Sequence, residues 1–470
     1  MIGEIRGLGK LKGKKVLVCG LARSGRAAAQ LLLDAGAIVS FADSSSYDAL
    51  LGENKAYVDK GAGIRFYLGQ NPDELVGDYD LIVISPGIPI DTPFVLKAKA
   101  LGVPLIGEVE LGYMACEAPI AAITGTNGKT TATTITGDIF RRSWAGSETL
   151  GNIGVPFCEK AVSIPSSAWV ALEVSSFQLE SVSAFRPRIA AVLNISEDHL
   201  NRHYTMENYI ASKERIFAAQ TPEDLLVLNY DDPICRGMAA RAKSEIAYFS
   251  MKGEPGDIPN AACVFLSGGE VIYRHKSYYV RLWSAKDMKS PFTHVLEDAM
   301  AAALIALCAG AAAEVVSDVA LGFAGVEHRV ELVGVVDGVE FYNDSKATNV
   351  DAAIKALSAI QGKVILIGGG QDKQADFSQW ISLFDEKVKA LVVFGETAGQ
   401  IVNDCQRAEF WKYEQTAGLS EAVAAAKRVA QPGDRVLFSP ACASLDMFSN
   451  YEERGRLFKE YVLGLSNRLN

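Results

Sequence analysis

Residues 124–131 read Thr-Gly-Thr-Asn-Gly-Lys-Thr-Thr, and an apolar run, Ile120-Ala-Ala-Ile123, leads directly into them. A strand that ends in a glycine-bearing turn and passes into a helix at Lys-Thr-Thr can cradle nucleotide phosphates. Backbone N–H groups face the anion, Lys129 supplies a cation, and the Thr130 hydroxyl can ligate Mg2+. Gly125, Thr126, Asn127, Gly128 and Thr131 complete the candidate phosphate loop. The spacing departs from the usual G-x-x-x-x-G-K-[ST], whose first glycine would fall at position 123, an isoleucine here. The competing reading is a turn that holds no nucleotide. Lys-Thr directly after Thr-Asn-Gly argues against it, because turn chemistry alone does not call for that pair. The chain is expected to consume ATP.

Other polar residues sit where strands would deliver them. Glu173 lies between Leu172 and Val174 in an apolar run. A carboxylate buried there is costly unless paired or metal-bound, the alternative being the exposed face of an edge strand. His199 follows Glu197-Asp198 and could merely cap a loop. In the last third, Gly368-Gly-Gly-Gln-Asp-Lys373 and Ser439-Pro-Ala-Cys-Ala-Ser444 each trail an apolar run. Polar residues at the carboxyl ends of parallel strands face a ligand crevice.

The elements that carry these residues follow βαβ grammar. Strands are expected at 15–19, 38–42 and 81–84, with a helix at 27–35, so the first third reads as Rossmann-like. Its turn has Gly20 and Gly25 but Ala22 in the middle. The G-x-G-x-x-G fingerprint is therefore incomplete, which disfavours a dinucleotide and leaves phosphate binding open. Strands at 169–174, 189–194 and 225–229 follow the phosphate loop, and 263–283 reads as an antiparallel hairpin. Further strands at 364–367, 390–394 and 435–438 form a third βα unit. The fold class expected is α/β with three domains. These are a Rossmann-like domain over 1–110, a central phosphate-loop, ATP-binding domain with a mostly parallel sheet over 111–325, and a Rossmann-like domain over 326–470. A length of 470 residues accommodates three.

Composition bounds the partners. The chain is 49% apolar and 22% charged, with 46 Lys+Arg against 56 Asp+Glu. That acidic balance argues against non-specific nucleic-acid binding. The eight cysteines are scattered without a C-x-x-C pair, which fits neither a zinc site nor a disulfide framework and points to a reducing cytoplasm. The amino-terminal residues lack an apolar core of signal-peptide length. The apolar stretch 299–313 is too short to span a bilayer and reads as a buried helix. A soluble, cytoplasmic, monomeric protein without membrane insertion is expected.

Four longer motifs give the pattern its specificity: Leu172-Glu-Val-Ser-Ser-Phe-Gln-Leu179, Asn194-Ile-Ser-Glu-Asp-His199, Asn343-Asp-Ser-Lys-Ala-Thr-Asn349 and Ser439-Pro-Ala-Cys-Ala-Ser-Leu-Asp446. With the T-G-T-N-G-K-T-T loop, and in this order over nearly the whole chain, they resemble the Mur ligases. Within that family the 343–349 heptad resembles the branch that joins D-glutamate to UDP-N-acetylmuramoyl-L-alanine. The resemblance implies an ATP-dependent amide ligase of peptidoglycan precursor synthesis. It would work through an acyl phosphate and a tetrahedral intermediate, releasing ADP and phosphate. A sister ligase for another amino acid, a folylpolyglutamate synthetase, or a nucleotide-responsive binding protein without catalysis are the alternatives.

The resemblance also implies roles. Two Mg2+ ions would be held, one by Thr130 and Glu173, the other by His199 and a carboxylated Lys213 in Tyr209-Ile-Ala-Ser-Lys213. A free ammonium could not ligate Mg2+, whereas a carbamate offers hard anionic oxygens. Lys129, His199, Lys213 and Lys346 would be catalytic, and Arg329 and Asp344 would contact ATP. The D-glutamate carboxylates would meet Lys346, Thr348, Lys373, Ser444 and the backbone near Tyr451. The uridine diphosphate end would lie against Arg23, Ser24, Asp43, Ser44 and Gly87, with Asn152 reaching the muramoyl portion. Two departures stand out: His294-Val295, then Asp298, where the family usually has His-Asn for adenine, and Asn450-Tyr-Glu452 where it often has Phe.

Overall fold

A computed structural model describes residues 8–45, 65–69, 72–256, 258, 260–290, 292–372 and 375–466. Three sheets organise it, in two compact units, Met1–Phe323 and Ala324–Asn470.

The first unit holds two sheets. One contains β1 (Lys15–Cys19), β2 (Ile38–Asp43), β3 (Arg65–Leu68), β4 (Leu81–Ile84) and β5 (Leu105–Gly107) in the order β3-β2-β1-β4-β5, all parallel. The order reverses between β1 and β4, so a crevice opens outside their carboxyl ends. Gly20, just after β1, has φ 91°, and a Cβ there would lie 2.6 Å from Ser85 Cβ, just after β4. Glycine thus lets the two strand ends approach.

The second sheet contains β6 (Ile120–Thr124), β7 (Glu148–Gly151), β8 (Val170–Glu173), β9 (Ile189–Val192), β10 (Leu225–Asn229), β11 (Glu245–Ser250), β12 (Cys263–Ser267), β13 (Glu270–His275) and β14 (Tyr278–Ser284). Its order is β14-β13-β12-β11-β10-β9-β6-β8-β7. β6 to β12 pair in parallel, and β12, β13 and β14 pair antiparallel. The hairpin expected over 263–283 is thus β13–β14, extended by β12 into a three-stranded meander. Strands β6, β8 and β9 are buried at every position, as sheets covered on both faces require.

Helix Thr293–Ala309 is Ala-rich and buried through its middle, from Val295 to Ala306 except Glu297, and it lies close against helix Lys129–Ser143. The buried helix expected over 299–313 instead ends at Ala309. Gly310 takes φ 100° and caps the helix, and a separate helix starts at Ala313. The two sheets share a continuous core, in which Val18, Leu31, Phe41 and Leu111 join Phe157, Leu172 and Ile216. The expected boundary at 110/111 falls inside helix Glu108–Ala115, which is buried along most of its length.

The second unit contains β15 (Glu331–Val336), β16 (Val339–Asn343), β17 (Val364–Gly368), β18 (Val388–Val393), β19 (Tyr413–Gln415) and β20 (Arg435–Phe438). Their order is β15-β16-β20-β17-β18-β19, with β15 antiparallel and the rest parallel. Helices Leu419–Val429 and Tyr451–Ser466 cover one face through Leu419, Val423, Phe458 and Val462. Among the described residues no helix is long and apolar enough to cross a membrane.

Candidate active site

β6 runs between β8 and β9, with Ile123 opposite both Glu173 and Ala191. The turn that leaves β6 is therefore flanked by what leaves its neighbours. Gly128 begins helix Lys129–Ser143 at φ 80°, and no side chain caps that helix. Its first N–H groups are the kind that receive phosphate oxygens. A side chain at Gly128 is excluded: its Cβ would lie 2.0 Å from Oδ1 of buried Asp298. The segment after β9 braces the loop. Asn194 accepts from the N–H of Thr126 through its carbonyl (2.9 Å) and from that of Asn127 through Oδ1 (2.8 Å). The Thr126 hydroxyl lies 3.1 Å from the Tyr209 hydroxyl and accepts from Ser196 N.

Two lysines converge on this turn. Lys129 Nζ donates to the carbonyls of Gly125 and Thr126, both at 2.8 Å. Lys213 Nζ, in a fully buried side chain, donates to the same Gly125 carbonyl at 2.7 Å and to Thr124 Oγ1 at 3.3 Å. It also lies 4.8 Å from the centre of the Tyr209 ring. Burial, reinforced by the Lys129 charge, holds the Lys213 amine well below the ordinary lysine range. Lys213 is thus a buried amine whose surroundings disfavour the charged form, not a solvated surface lysine.

Glu173, at the end of β8, is 2% exposed. Oε1 accepts from Asn152 Nδ2 at 2.8 Å, while buried Oε2 has no hydrogen-bond partner among the described residues. A carboxylate oxygen shielded from water without a donor fits a cation. The Thr130 hydroxyl belongs to a buried side chain in the first helical turn after the loop. Asn152, expected at the muramoyl group, donates one amide N–H to Glu173. Among the described residues no group of three His, Cys, Asp or Glu could hold a metal. The expected ligand sets are of another kind, since they include the Thr130 hydroxyl and a modified lysine.

His199 differs from these three in being half exposed, at φ 55°. Its ring lies 4.8 Å from that of Phe177, and Nε2 is 3.6 Å from Asp198 Oδ2. The same Asp198 charge raises the Lys213 pKa, opposing burial.

At the β1–β4 crevice a cavity of about 450 Å3 is lined by Gly20, Asp43, Ser44, Ile88, Thr92 and Phe94, among others. That volume suits a nucleotide-sized ligand. Asp43 and Ser44 are thus on the wall, but the Asp43 carboxylate already accepts from the N–H groups of Leu21 (2.8 Å) and Ser45 (2.9 Å). Its first task is to shape the turn. Ser24 lies in the first turn of helix Arg23–Asp34. Arg23 donates to the Gly154 carbonyl, tying the turn to the loop of Asn152, and lines a separate cleft with Arg26 and Gln30. The Gly87 carbonyl accepts from Arg202.

In the second unit, the buried Asp344 accepts from Ser439 Oγ at 2.7 Å and from Val330 N at 3.3 Å. Burial pushes its carboxyl up to about 7, with the Arg329 charge opposing. The Lys346 N–H donates to the His328 carbonyl at 3.1 Å, and Thr348 N donates to the Lys346 carbonyl at 2.8 Å. Ser444 is buried, and the Tyr451 carbonyl accepts from Ser345 Oγ at 2.8 Å. Lys373 lies outside the described residues. Sequence reasoning missed Arg454, fully buried in helix Tyr451–Ser466. It donates to the carbonyls of Ser345, Cys442 and Ala443 and to Ser345 Oγ, at 2.8–3.1 Å. One guanidinium thus joins the segments that follow β16 and β20. A charged residue in that helix carries no sequence signal of such a role.

The sequence matches the Mur ligase MurD-like N-terminal domain over residues 14–107, the Mur ligase middle domain over 123–306 and the glutamate ligase domain of Mur ligases over 328–442. With a phosphate loop at the end of β6, this chain belongs to the Mur ligase family. Among curated proteins it is 42% identical to the UDP-N-acetylmuramoylalanine--D-glutamate ligase of Alkaliphilus oremlandii, over 97% of this chain and 99% of that one. It is 41% identical to the protein of the same name from Clostridioides difficile, again over 97% and 99%. Solved structures share the fold. A pseudomurein peptide ligase type C from Methanothermus fervidus aligns with a TM-score of 0.54 at 18% identity, covering 96% of this chain and 100% of that chain. The MurF ligase of Thermotoga maritima in complex with ADP aligns with a TM-score of 0.53 at 14% identity, over 99% and 98%.

Proposed function

We propose that this chain is the ATP-dependent ligase that joins D-glutamate to UDP-N-acetylmuramoyl-L-alanine in peptidoglycan precursor synthesis. The observation that carries the chemistry is the meeting of two lysine amines on the Gly125 carbonyl, at the end of a strand whose neighbour delivers the buried Glu173. The acceptor and the amino acid follow from the relatives' names over the full length of the chain.

An amide cannot form from a carboxylate at neutral pH unless an oxygen becomes a leaving group. A carboxylate oxygen of the alanyl end attacks the γ-phosphorus of ATP, and the bond to the β–γ bridging oxygen breaks, releasing ADP. The amine of D-glutamate, having lost a proton, attacks the acyl carbon. The tetrahedral intermediate loses a second proton from its nitrogen to the departing phosphate or water and collapses, expelling inorganic phosphate and leaving the amide. Phosphoryl transfer asks the protein for positioning and charge neutralisation. The helix N-terminus at Gly128 and Lys129 serve the phosphates, and Arg329 and Asp344 serve the nucleotide. His199, Lys213 and Lys346 act at the reacting groups.

Thr130 and the orphaned Glu173 Oε2 offer hard oxygens that suit Mg2+ and would hold one ion; by the family resemblance, His199 with a carboxylated Lys213 would hold a second. Such ions would neutralise charge on the phosphate oxygens. The environment of Lys213 supports carboxylation, because a neutral amine is the form that adds to CO2, losing a proton as the carbamate forms.

In the same reading the cavity beside Gly20 takes the uridine diphosphate, with Ser44 on its wall, Asp43 and Arg23 ordering the turn, and Ser24 and Gly87 as further contacts. Lys346, Thr348, Lys373, Ser444 and the backbone at Tyr451 receive D-glutamate. The segments bounded near 110/111 and 325/326 divide these duties, and the chain works as a cytoplasmic monomer. Free thiols at all eight cysteines agree with a reducing compartment. Phosphate release with UDP-N-acetylmuramoyl-L-alanine is the test, comparing D-glutamate, L-glutamate and no amino acid. Release that depends on D-glutamate is expected; equal release with L-glutamate, or none with either, overturns the assignment.

A further inference from the structure

Between the nucleotide-sugar cavity and the lysine cluster lies Arg202, which no part of the reaction above uses. It belongs to the short helix Leu200–His203, flanked by two non-glycine residues in positive-φ conformations, His199 at φ 55° and Tyr204 at φ 67°. Such residues are strained and persist where their surroundings over-determine them. The surroundings do so here. Arg202 Nη2 donates to Glu180 Oε2 at 2.6 Å, to the Ile88 carbonyl at 2.9 Å and to the Pro86 carbonyl at 3.3 Å. Nη1 donates to the Gly87 carbonyl at 3.3 Å. Three successive carbonyls of the loop after β4 are thereby held by one planar cation, a task for a fork and not for a point charge. Tyr204 adds a hydroxyl bond to Asp91 Oδ2 at 2.6 Å.

On its other side the same guanidinium lies 4.8 Å from the centre of the Phe177 ring, which in turn stands 4.8 Å from the His199 ring. Glu180 also meets His203 Nδ1 at 3.4 Å, and His203 Nε2 meets Ser176 Oγ at 3.0 Å. The Ser176 carbonyl accepts from Ser212, the neighbour of Lys213, at 2.9 Å. A continuous set of contacts therefore runs from the loop at the cavity wall, where Ile88 sits, to His199 and to the helix of Lys213.

We propose that Arg202 is a positioning residue that sets the distance between the bound nucleotide sugar and the groups that activate its carboxylate. This rests on reading the cavity beside Gly20 as the uridine diphosphate site. Arg202 touches no reacting atom. It holds the 86–88 loop against the short helix that His199 precedes, so the far end of a substrate anchored in the cavity arrives in line. Misplacement by about 1 Å can cost on the order of 100-fold in rate.

The test is full-chain Arg202→Ala and Arg202→Lys, with each substrate varied in turn, alongside UDP and ATP binding by calorimetry and thermal unfolding. For Arg202→Ala the expectation is a KM for UDP-N-acetylmuramoyl-L-alanine raised about tenfold and kcat lowered about tenfold or more, with ATP affinity unchanged. Arg202→Lys keeps the charge opposite Glu180 without the fork and should fall between the two. If the alanine variant does not fold, the lysine variant decides by the same criteria. Kinetics within twofold of wild type for the nucleotide sugar overturn the inference, as does a parallel loss of ATP affinity and thermal stability, which would mark a merely structural residue. Failure of the wild type to bind UDP removes the reading of the cavity itself. UDP binding by the wild type with unaltered behaviour of the variants removes this inference alone.

Discussion

Lys129 and Lys213 place their amines on one acceptor, the carbonyl of Gly125, at 2.8 and 2.7 Å. Two ammonium groups so close repel each other, and the more buried one yields its proton most readily. Lys213 is that one, because burial dominates its depressed pKa and the Lys129 charge adds to it. Burial and the neighbouring amine thus disfavour the charged form of Lys213, the form that cannot add to CO2. Lys213→Ala is expected to be nearly inactive and partly restored by acetate, which can enter the vacated space and supply carboxylate oxygens. Wild-type activity should fall in CO2-depleted buffer and return with bicarbonate. Full activity of the unsupplemented variant would dismiss the carbamate.

Lys129→Ala tests the other half of the pair. Without a cation at the loop, charge on the transferring phosphoryl group loses its partner, and a loss of at least about 1,000-fold in kcat is expected. Phosphate release at a tenth of the wild-type rate would reject the role. ATP binding measured by calorimetry should weaken as well, since the ground-state phosphates also meet this charge.

Glu173 keeps one carboxylate oxygen on Asn152 and leaves the other, equally buried, without a donor among the described residues. Glu173→Gln preserves an acceptor for Asn152 and removes the negative charge. The variant should fold with unfolding behaviour close to wild type, lose at least about 100-fold in rate, and need far more Mg2+ to saturate. An unchanged Mg2+ dependence would show that the orphaned oxygen answers to something else.

What the residue pattern revealed was local: a loop whose glycines, lysine and threonine share one turn, and polar motifs that follow apolar runs. Those features travel with the chain, so position alone exposes them. The pairing of Asn152 with Glu173 was not legible, because it depends on β7 lying beside β8. The family resemblance implied a muramoyl contact for Asn152 and gave no sign of this pairing. Nor does Glu110 announce that its buried carboxylate accepts from three consecutive N–H groups, those of Ser183, Ala184 and Phe185. The sequence shows Gly310 in an apolar run, yet only its φ of 100° says that the helix stops there. Arg454 and Arg202 were invisible for the same reason: their acceptors are mostly backbone carbonyls, which carry no side-chain identity.

Glu108 yields a stability prediction with a definite sign. The side chain is buried at the start of helix Glu108–Ala115. Oε1 accepts from Cys158 N at 2.6 Å, and buried Oε2 has no partner among the described residues. Burial pushes the carboxyl up from 4.5 to about 7. Folded protein thus binds more protons than unfolded between those values, so the group's stabilisation is complete below about 4.5 and disappears as pH rises through about 7. Glu108→Gln keeps the acceptor for Cys158 and cannot ionise. Denaturant unfolding should show it close to wild type at pH 5 and more stable by roughly 3 kcal/mol at pH 8.5. A difference independent of pH would mean that Glu108 titrates normally.

Arg454 is a buried cation whose hydrogen bonds go to neutral oxygens, three of them backbone carbonyls. Burial brings its pKa down to about 10, so it stays charged at neutral pH. Its value lies in joining Ser345 to the Cys442–Ala443 turn, and hence in placing Lys346 and Ser444, their chain neighbours. Arg454→Met fills similar space but strands those carbonyls, at a cost of about 1–3 kcal/mol for each that finds no water. Hydrogen exchange should accelerate at residues 343–346 and 440–445 while the phosphate loop keeps its protection. The KM for D-glutamate should rise about tenfold or more, with ATP affinity in the intact chain little changed. Arg454→Lys should rescue poorly, because one ammonium cannot meet acceptors spread around a planar fork. Equal rescue by lysine would reduce the role of this residue to its charge.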